Sequence, residues 1–311
     1  MRQRLLHWGM IGGMVAFWGA SFVFTKVAMR WLGPTMVAFC RWTVTALALL
    51  GWLAATGKLC SVGRLLRQDG RAAAWIALVG ITLFYATGNL ALRYTTAINA
   101  SVLTNLITVF MALIGTFWLG ERLALAEWLA MAGAFVGAGL VSQGAGHLTL
   151  SAPGLRGDLL LVLGALFGAI YSVGGKRLVA TYPPDVTTTA FAGLGALFLL
   201  PLAMWEVHTN GGIASAMGAP ATAWLMVLLL GLGSGALANL LWMYLLSTTE
   251  AARAGMSLLL IPLFSAGLAI VALGEPLTPT VLAGALLVVV GVGVVQNGAR
   301  AAQRKGPEHA S

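Results

Sequence analysis

The stretch GNLALRYTTAINASVLTNLITVFMALIGTFWLGERLALAEWLAMAGAFVGAGLV, residues 88–141, returns as ANLLWMYLLSTTEAARAGMSLLLIPLFSAGLAIVALGEPLTPTVLAGALLVVVGVGVV at residues 238–295. Asn89 and Tyr94 match Asn239 and Tyr244 at an offset of 150. Gly120, Glu121 and Leu123 then match Gly274, Glu275 and Leu277 at 154, so a four-residue insertion separates the two groups. The chain is built twice.

Composition says where such a chain lives. It is 59% hydrophobic and 9% charged, with a mean hydropathy of +0.90, and a water-exposed surface cannot be assembled from it. Its apolar runs are each about 20 residues, enough to cross roughly 30 Å of hydrocarbon as a helix. A helix also satisfies its own backbone in lipid. A transmembrane β-barrel needs alternating segments, which these Leu/Ala/Gly/Val runs lack. Arg2 and Arg4 ahead of an apolar run resemble a secretory signal, but the run is too long and nine more follow, so we read a retained first span. Cys40, in the second span, and Cys60, in the next loop, fall toward opposite faces, which predicts neither a disulfide nor a metal site.

Apolar runs between Pro, Gly and charge clusters predict ten spans, near 8–29, 34–56, 72–92, 98–119, 124–143, 157–178, 187–207, 221–245, 252–273 and 278–297. With the amino terminus inside, thirteen basic residues lie on the cytoplasmic side. Five lie toward the outside: Lys26, Arg30, Arg41, Arg93 and Arg156. This positive-inside bias places both termini in the cytoplasm and explains the net charge of +9 without nucleic acid. The predicted organisation is a first five-helix repeat over 1–143, an extracytoplasmic linker over 144–156, a second repeat over 157–297 and a cytoplasmic tail over 298–311. Five is odd, so the second half enters from the opposite face. The halves are then an inverted-topology repeat, the usual mark of a carrier with its substrate path between them.

Ten spans in this arrangement, WGASF at 18–22, YTTAINASVL at 94–103, LGERL at 119–123 and LGEPL at 273–277 together resemble the drug/metabolite transporter superfamily. The pattern is most similar to its ten-span EamA-type branch, over nearly the whole chain. The resemblance implies a small-metabolite carrier, commonly an exporter of amino acids or related compounds. It also implies a cavity between the first, third, fourth, sixth, eighth and ninth spans, with the fifth and tenth peripheral.

Asparagines in apolar spans are the first candidates for the path: Asn89 and Asn239 at matching positions, and Asn105 in the fourth span. A buried amide marks either a helix–helix hydrogen bond or a cavity wall, and both readings stand. Trp18, Tyr85, Tyr171 and Trp242 lie deep in spans assigned to the cavity and suit a pocket for an amino-acid side chain. Tyr94 and Tyr244 lie near span ends, as gates or as members of the interfacial belt to which we assign Trp8, Trp31, Trp52, Trp75 and Trp128. Pro262, at the position of Thr108 in the other copy, kinks the ninth span and is a candidate gating hinge. Arg41 and Lys26 could meet a substrate carboxylate, but we read both as snorkelling to the outer interface. Arg253 is read as structural. Glu121 and Glu275 follow cap glycines and are read as loop architecture that favours the start of the next helix. Gly9 with Gly13, Gly133 with Gly137, and Gly231 with Gly235 have spacing for close helix packing.

Absences narrow the class. No Gly-rich phosphate loop with Lys-Ser/Thr occurs. Residues 8–25 contain no acid, unlike the first span of the small multidrug pumps in the same superfamily. The fourth, sixth and ninth spans hold no deep Lys or Arg for a phosphorylated substrate. His7, His147, His208 and His309 are scattered, against a membrane enzyme or lipid-handling protein. The expectation is a cofactor-free secondary transporter in the bacterial inner membrane, for which a monomer suffices. It exports small net-neutral metabolites, foremost aromatic or large apolar amino acids, by alternating access. The alternatives are a proton-coupled drug/metabolite antiporter and a sugar-phosphate or nucleotide-sugar exchanger.

Overall fold

Apolar runs that bond their own backbones leave only their packing to be decided, and glycine decides much of it here. The computed structural model describes residues 2–91, 94, 103–143, 152–209, 218–273 and 278–304. Glu275 and Arg93 lie outside the described residues, as does most of the predicted linker. Helices α1 (Arg2–Ala28) and α2 (Pro34–Ala55) come first, then a short α3 (Leu59–Gln68). Helix α4 runs Gly70–Ala77, widens to a π-helix over Leu78–Leu83 and ends as Phe84–Ala91. Then come α5 (Leu106–Leu119), α6 (Leu125–Gln143), α7 (Ala152–Val179) and α8 (Pro184–Thr209). Helix α9 runs Ala221–Leu229, a π stretch Leu230–Leu237 and Ala238–Thr248. Helix α10 joins Ala251–Met256, a 3-10 turn Ser257–Leu259 and Leu260–Leu273, and α11 is Pro279–Arg304. No strand occurs among the described residues.

Among the described residues, six helices are long and apolar enough to cross a membrane: His7–Thr25, Pro34–Ala55, Gly70–Gly88, Leu155–Val179, Pro184–Thr209 and Ala221–Thr248. Shorter apolar helices, Leu106–Leu119, Leu125–Val141, Ala251–Gly267 and Pro279–Val295, stand at the other predicted segments. Trp31, Trp52, Trp75 and Trp205 project from the outside of the bundle, where lipid rather than water accommodates them. The protein is an integral membrane protein. Trp128, predicted for the belt, instead packs against a core of Ala112, Met131, Ala134 and Val288. The sequence reading takes residues 57–71 as a loop, whereas α3 is an amphipathic helix burying Val62 and Leu65, with Arg64 and Arg67 exposed.

Correspondence between the halves is visible in their turns. Trp31 and Leu32 donate to Ala28 O at 3.1 and 3.0 Å, while Thr181 and Tyr182 donate to Leu178 O at 3.0 and 2.8 Å. Val37 N–H bonds Gly33 O at 2.9 Å and Thr187 N–H bonds Pro183 O at 3.0 Å. These are the same bonds 150 residues apart. Helix contacts are likewise unchanged when the halves are exchanged: α6 lies along α11, α2 along α8, α1 against α9 as α4 against α7, and α5 against α7 as α10 against α1.

Contact between α6 and α11 is backbone to backbone. A Cβ on Gly137 would meet Gly284 O at 2.6 Å, and one on Gly284 would meet Gly137 O at 2.6 Å. A Cβ on Gly133, its predicted partner in the small-residue pair, meets nothing within 4 Å, and the same holds for Gly9. Gly137→Ala should therefore lower stability in detergent by about 1–3 kcal/mol through overpacking, while Gly133→Ala leaves it unchanged. Thermal unfolding of the two variants side by side measures this, and equal melting temperatures would refute the contact.

Candidate functional site

The π stretch of α9 carries the sequence Leu230-Gly231-Leu232-Gly233-Ser234-Gly235-Ala236-Leu237. Its glycines remove the bulk that would hold α2 away: a Cβ on Gly231 would strike Val44, and one on Gly235 would strike Thr45 Oγ1. The Thr45 hydroxyl meanwhile donates to Gly231 O at 2.9 Å. π-Helical widening changes which carbonyls the helix ladder uses and is frequent at functional sites. Here the Ser234 carbonyl becomes a hub for side chains. Asn239 Nδ2 donates to it at 2.8 Å, Trp18 Nε1 at 3.1 Å and Arg41 Nη2 at a long 3.5 Å.

Around this hub the rings assemble. Trp18 meets Trp242 edge to face at 5.7 Å, and Trp42 meets Tyr85 edge to face at 6.5 Å. The Arg41 guanidinium carbon stands 5.7 Å from the Tyr85 ring and 5.9 Å from the Trp42 ring, within cation–π range. Tyr171 donates its hydroxyl to Asn239 Oδ1 at 3.4 Å and leans on Phe191 at 5.3 Å. A cavity of about 70 Å³ opens beside Tyr85, between Gly88, Thr104 and Gly164. That is smaller than the roughly 300 Å³ at which ligand pockets begin.

Five predicted site residues, Trp18, Tyr85, Tyr171, Asn239 and Trp242, thus lie in one cluster drawn from α1, α4, α7 and α9. Asn105 is buried at the start of α5. The side chain of Asn89 lies outside the described residues, as does that of Lys26. Tyr94 and Tyr244 are 45% and 51% exposed and stand apart from this cluster, on the surface. Pro262 follows the 3-10 turn of α10, consistent with a residue that cannot donate to the carbonyl four positions back. Snorkelling of Arg41 is corrected: the residue is 8% exposed and its guanidinium points at α9. Burial by neighbouring helices, invisible to span boundaries, reverses that reading. Trp42 and Ser234 are the other members missed; Trp42 directly follows Arg41, and Ser234 is an isolated polar residue amid glycines.

A second polar assembly lies at the end of the bundle where α5 stops and α10 starts. Gly120 caps α5 in the left-handed region, φ +69°, and throws Glu121 across to the other half. Glu121 Oε1 and Oε2 accept the backbone N–H of Ala251 and Ala252 at 2.6 and 3.0 Å, so its carboxylate caps α10 rather than the helix that follows it in sequence. Lys176 stands 3.6 Å from Glu121 and donates to the carbonyls of Thr249 and Leu246. Arg253 is more than the local residue the sequence suggested: its Nε pairs with Glu127 at 2.8 Å and Nη2 reaches the other oxygen at 3.4 Å. Its Nη1 also lies 2.8 Å from Glu250 Oε2, an ion pair not aligned as a hydrogen bond. Burial raises the Glu250 carboxyl above the usual range; Arg253 opposes this, and the charges of Glu121 and Glu127 add to it. No group of three or more His, Cys, Asp or Glu that could hold a metal occurs among the described residues.

Comparison with known proteins agrees with this architecture. The EamA-like transporter family matches residues 7–143 and again 155–296. An uncharacterized transporter of Archaeoglobus fulgidus is 30% identical over 278 residues, 88% of this chain and 92% of that one. A probable terminal-alkyne amino-acid exporter of Streptantibioticus cattleyicolor is 28% identical, over 89% of each chain. A protein of known crystal structure superposes with a TM-score of 0.78 at 20% identity, over 94% of this chain and 97% of the other, and so shares the fold.

Disrupting this assembly has a measurable cost. Glu127→Gln, which breaks a buried pair on one side, should destabilise the protein in detergent by about 3 kcal/mol. Adding Arg253→Gln should cost less than the sum of the two single changes, by at least ~1 kcal/mol. Additive losses in the thermal unfolding cycle would show that the pair is not coupled.

Proposed function

We infer the function from one premise: the chain belongs to the EamA-like transporter family, and it is an integral membrane carrier of small molecules rather than an enzyme. We propose that it exports aromatic or large apolar amino acids by alternating access, as a monomer in the bacterial inner membrane with both termini cytoplasmic. The carrying observation is that Trp18, Tyr85, Tyr171, Asn239 and Trp242, from helices of both halves, meet in one polar-aromatic cluster. Apolar rings with a few convergent hydrogen-bonding groups are what an amino-acid side chain and its polar backbone atoms require.

An inverted repeat of ten spans is the frame of this proposal. It is supported by turn bonds repeated 150 residues apart and by π stretches in α4 and α9. Alternating access then means that the halves rock about the cluster. In this proposal the Glu121, Glu127, Lys176 and Arg253 assembly is the latch between the halves at the end read as cytoplasmic, supported by its hydrogen bonds and ion pairs across them. Asn89 and Asn105 are proposed as further cavity residues, and Pro262, Tyr94 and Tyr244 as gating positions. The amino-acid exporter among the relatives supports the substrate class.

Counterflow in proteoliposomes tests this. Labelled L-phenylalanine should accumulate against an internal pool of unlabelled L-phenylalanine, with competition from Trp and Met and no requirement for a pH gradient. Trp18→Ala should change the competition by aromatic substrates by up to about tenfold. Uptake indifferent to every amino acid would sink the substrate class, and a rate set by the pH gradient would replace facilitation with proton coupling.

A further inference from the structure

Arg41 is a buried cation with no anionic partner among the described residues. It stands seven residues inside α2, about 10 Å along the axis from Pro34, and is 8% exposed. The ion pairs among the described residues are Lys58–Asp185, Lys176–Glu121, Arg253–Glu127 and Arg253–Glu250; Arg41 is in none of them. Among the described residues Nη2 finds an acceptor at 3.5 Å, and the buried Nε finds none. The neighbouring indole N–H of Trp42, 3% exposed, has no acceptor either, nor has the buried Thr82 hydroxyl in the π stretch of α4.

A charge in that condition costs several kcal/mol unless something compensates it. Cation–π contact with Tyr85 and Trp42 offsets part of that, and one long hydrogen bond adds little. The deficit has a definite chemical shape: a planar fork with unused donors, next to an indole N–H, inside a cluster of rings. A carboxylate matches the fork by accepting two parallel hydrogen bonds. Asn239 Oδ1 in the same cluster, which accepts only a long bond from Tyr171, is an acceptor suited to an ammonium group. The other half offers no counterpart. Carried along α8 from the matched turn bonds of Val37 and Thr187, the position equivalent to Arg41 is Phe191.

We propose that Arg41 binds the substrate carboxylate, its guanidinium forming a bidentate pair with the α-carboxylate of an amino acid while Trp42 Nε1 donates to the same group. This rests on the amino-acid reading above and names the group that recognises such a substrate. Because the cation occurs in one half only, the carboxylate end of the substrate is held by α2 in a fixed orientation.

Tryptophan fluorescence of the full-length protein in detergent tests the site apart from transport. The probes are L-phenylalanine, 3-phenylpropionate, phenethylamine and phenyl phosphate. Wild type should respond to the first two and not to phenethylamine. Arg41→Gln should weaken binding of both carboxylates on the order of 100-fold, and Arg41→Lys, which keeps the charge and loses the fork, about tenfold. Should Arg41→Gln melt well below wild type, the Arg41→Lys comparison decides. Equal affinity of wild type and both folded variants for 3-phenylpropionate overturns the proposal, as does no carboxylate binding by wild type or a clear preference for phenyl phosphate. Arg41-dependent binding of 3-phenylpropionate without L-phenylalanine counterflow upholds the carboxylate site and rejects the amino-acid reading. Counterflow with KM unchanged in both variants rejects Arg41 and leaves the carrier reading intact.

Discussion

Every polar group in a membrane interior must find a partner there, and the Ser234 carbonyl shows what this constraint builds. A π stretch in α9 turns that oxygen into an acceptor for side chains of α1, α2 and α9 itself. No apolar contact could bring these elements together with such specificity, since lipid tails solvate Leu and Val as well as a neighbouring helix does. The glycines around Ser234 do the complementary work. By removing side chains they let α2 approach until Arg41 reaches across. Hydrogen bond and close approach depend on each other, and together they seat Trp18, Trp42, Tyr85 and Trp242.

The frame repeats and the site does not. Turn bonds, π stretches and helix pairings recur between the halves, as a packing solution copied once would. At the centre the copies diverge at the same offset: Trp18 faces Gly168 in the alignment, Arg41 faces Phe191, and Tyr85 faces Gly235. Gly168 and Gly235 are also places where a Cβ would collide with Ile107 and Thr45. At these three positions the first copy carries the functional group, while Tyr171, Asn239 and Trp242 of the cluster come from the second. A substrate with two unlike ends can be oriented by such a centre; a fully symmetric one would not distinguish the ends.

Much of the frame was legible because hydropathy and repetition act over whole helices, and errors of a residue or two do not matter at that scale. Trp18, Tyr85, Tyr171, Asn239 and Trp242 were legible for a related reason: deep polar and aromatic residues in otherwise aliphatic spans have few explanations. Arg41 was misread because depth along a helix does not tell which side of the helix faces the bundle. Glu121 was assigned to its own next helix because sequence proximity is the default. Its actual partners, the N–H groups of Ala251 and Ala252, are 130 and 131 residues away. Helix α3 escaped because its two buried residues, Val62 and Leu65, are too few to raise the hydropathy of ten residues. The π stretches had no signature beyond glycine, which also marks packing and turns.

The polar assembly at the α5–α10 end and the unused hydrogen-bond donors of Arg41 bear on one energetic problem. A carrier must pass between conformations separated by only a few kcal/mol, or one of them is never populated. Glu121 gives that end charge-assisted bonds to two orphan N–H groups at a helix start, and Arg253 and Glu127 add a buried pair, a large local stabilisation. Left unopposed, it would lock the bundle. An uncompensated cation at the centre works in the other direction, because it destabilises the empty site. An anion that neutralises Arg41 removes that penalty only in the conformations that bind it, so the ligand shifts the balance by its differential affinity and by nothing else. On the proposed alternating-access reading, the Arg41 guanidinium and the α5–α10 assembly would be opposing weights on one equilibrium, and substrate binding at Arg41 would change the first alone.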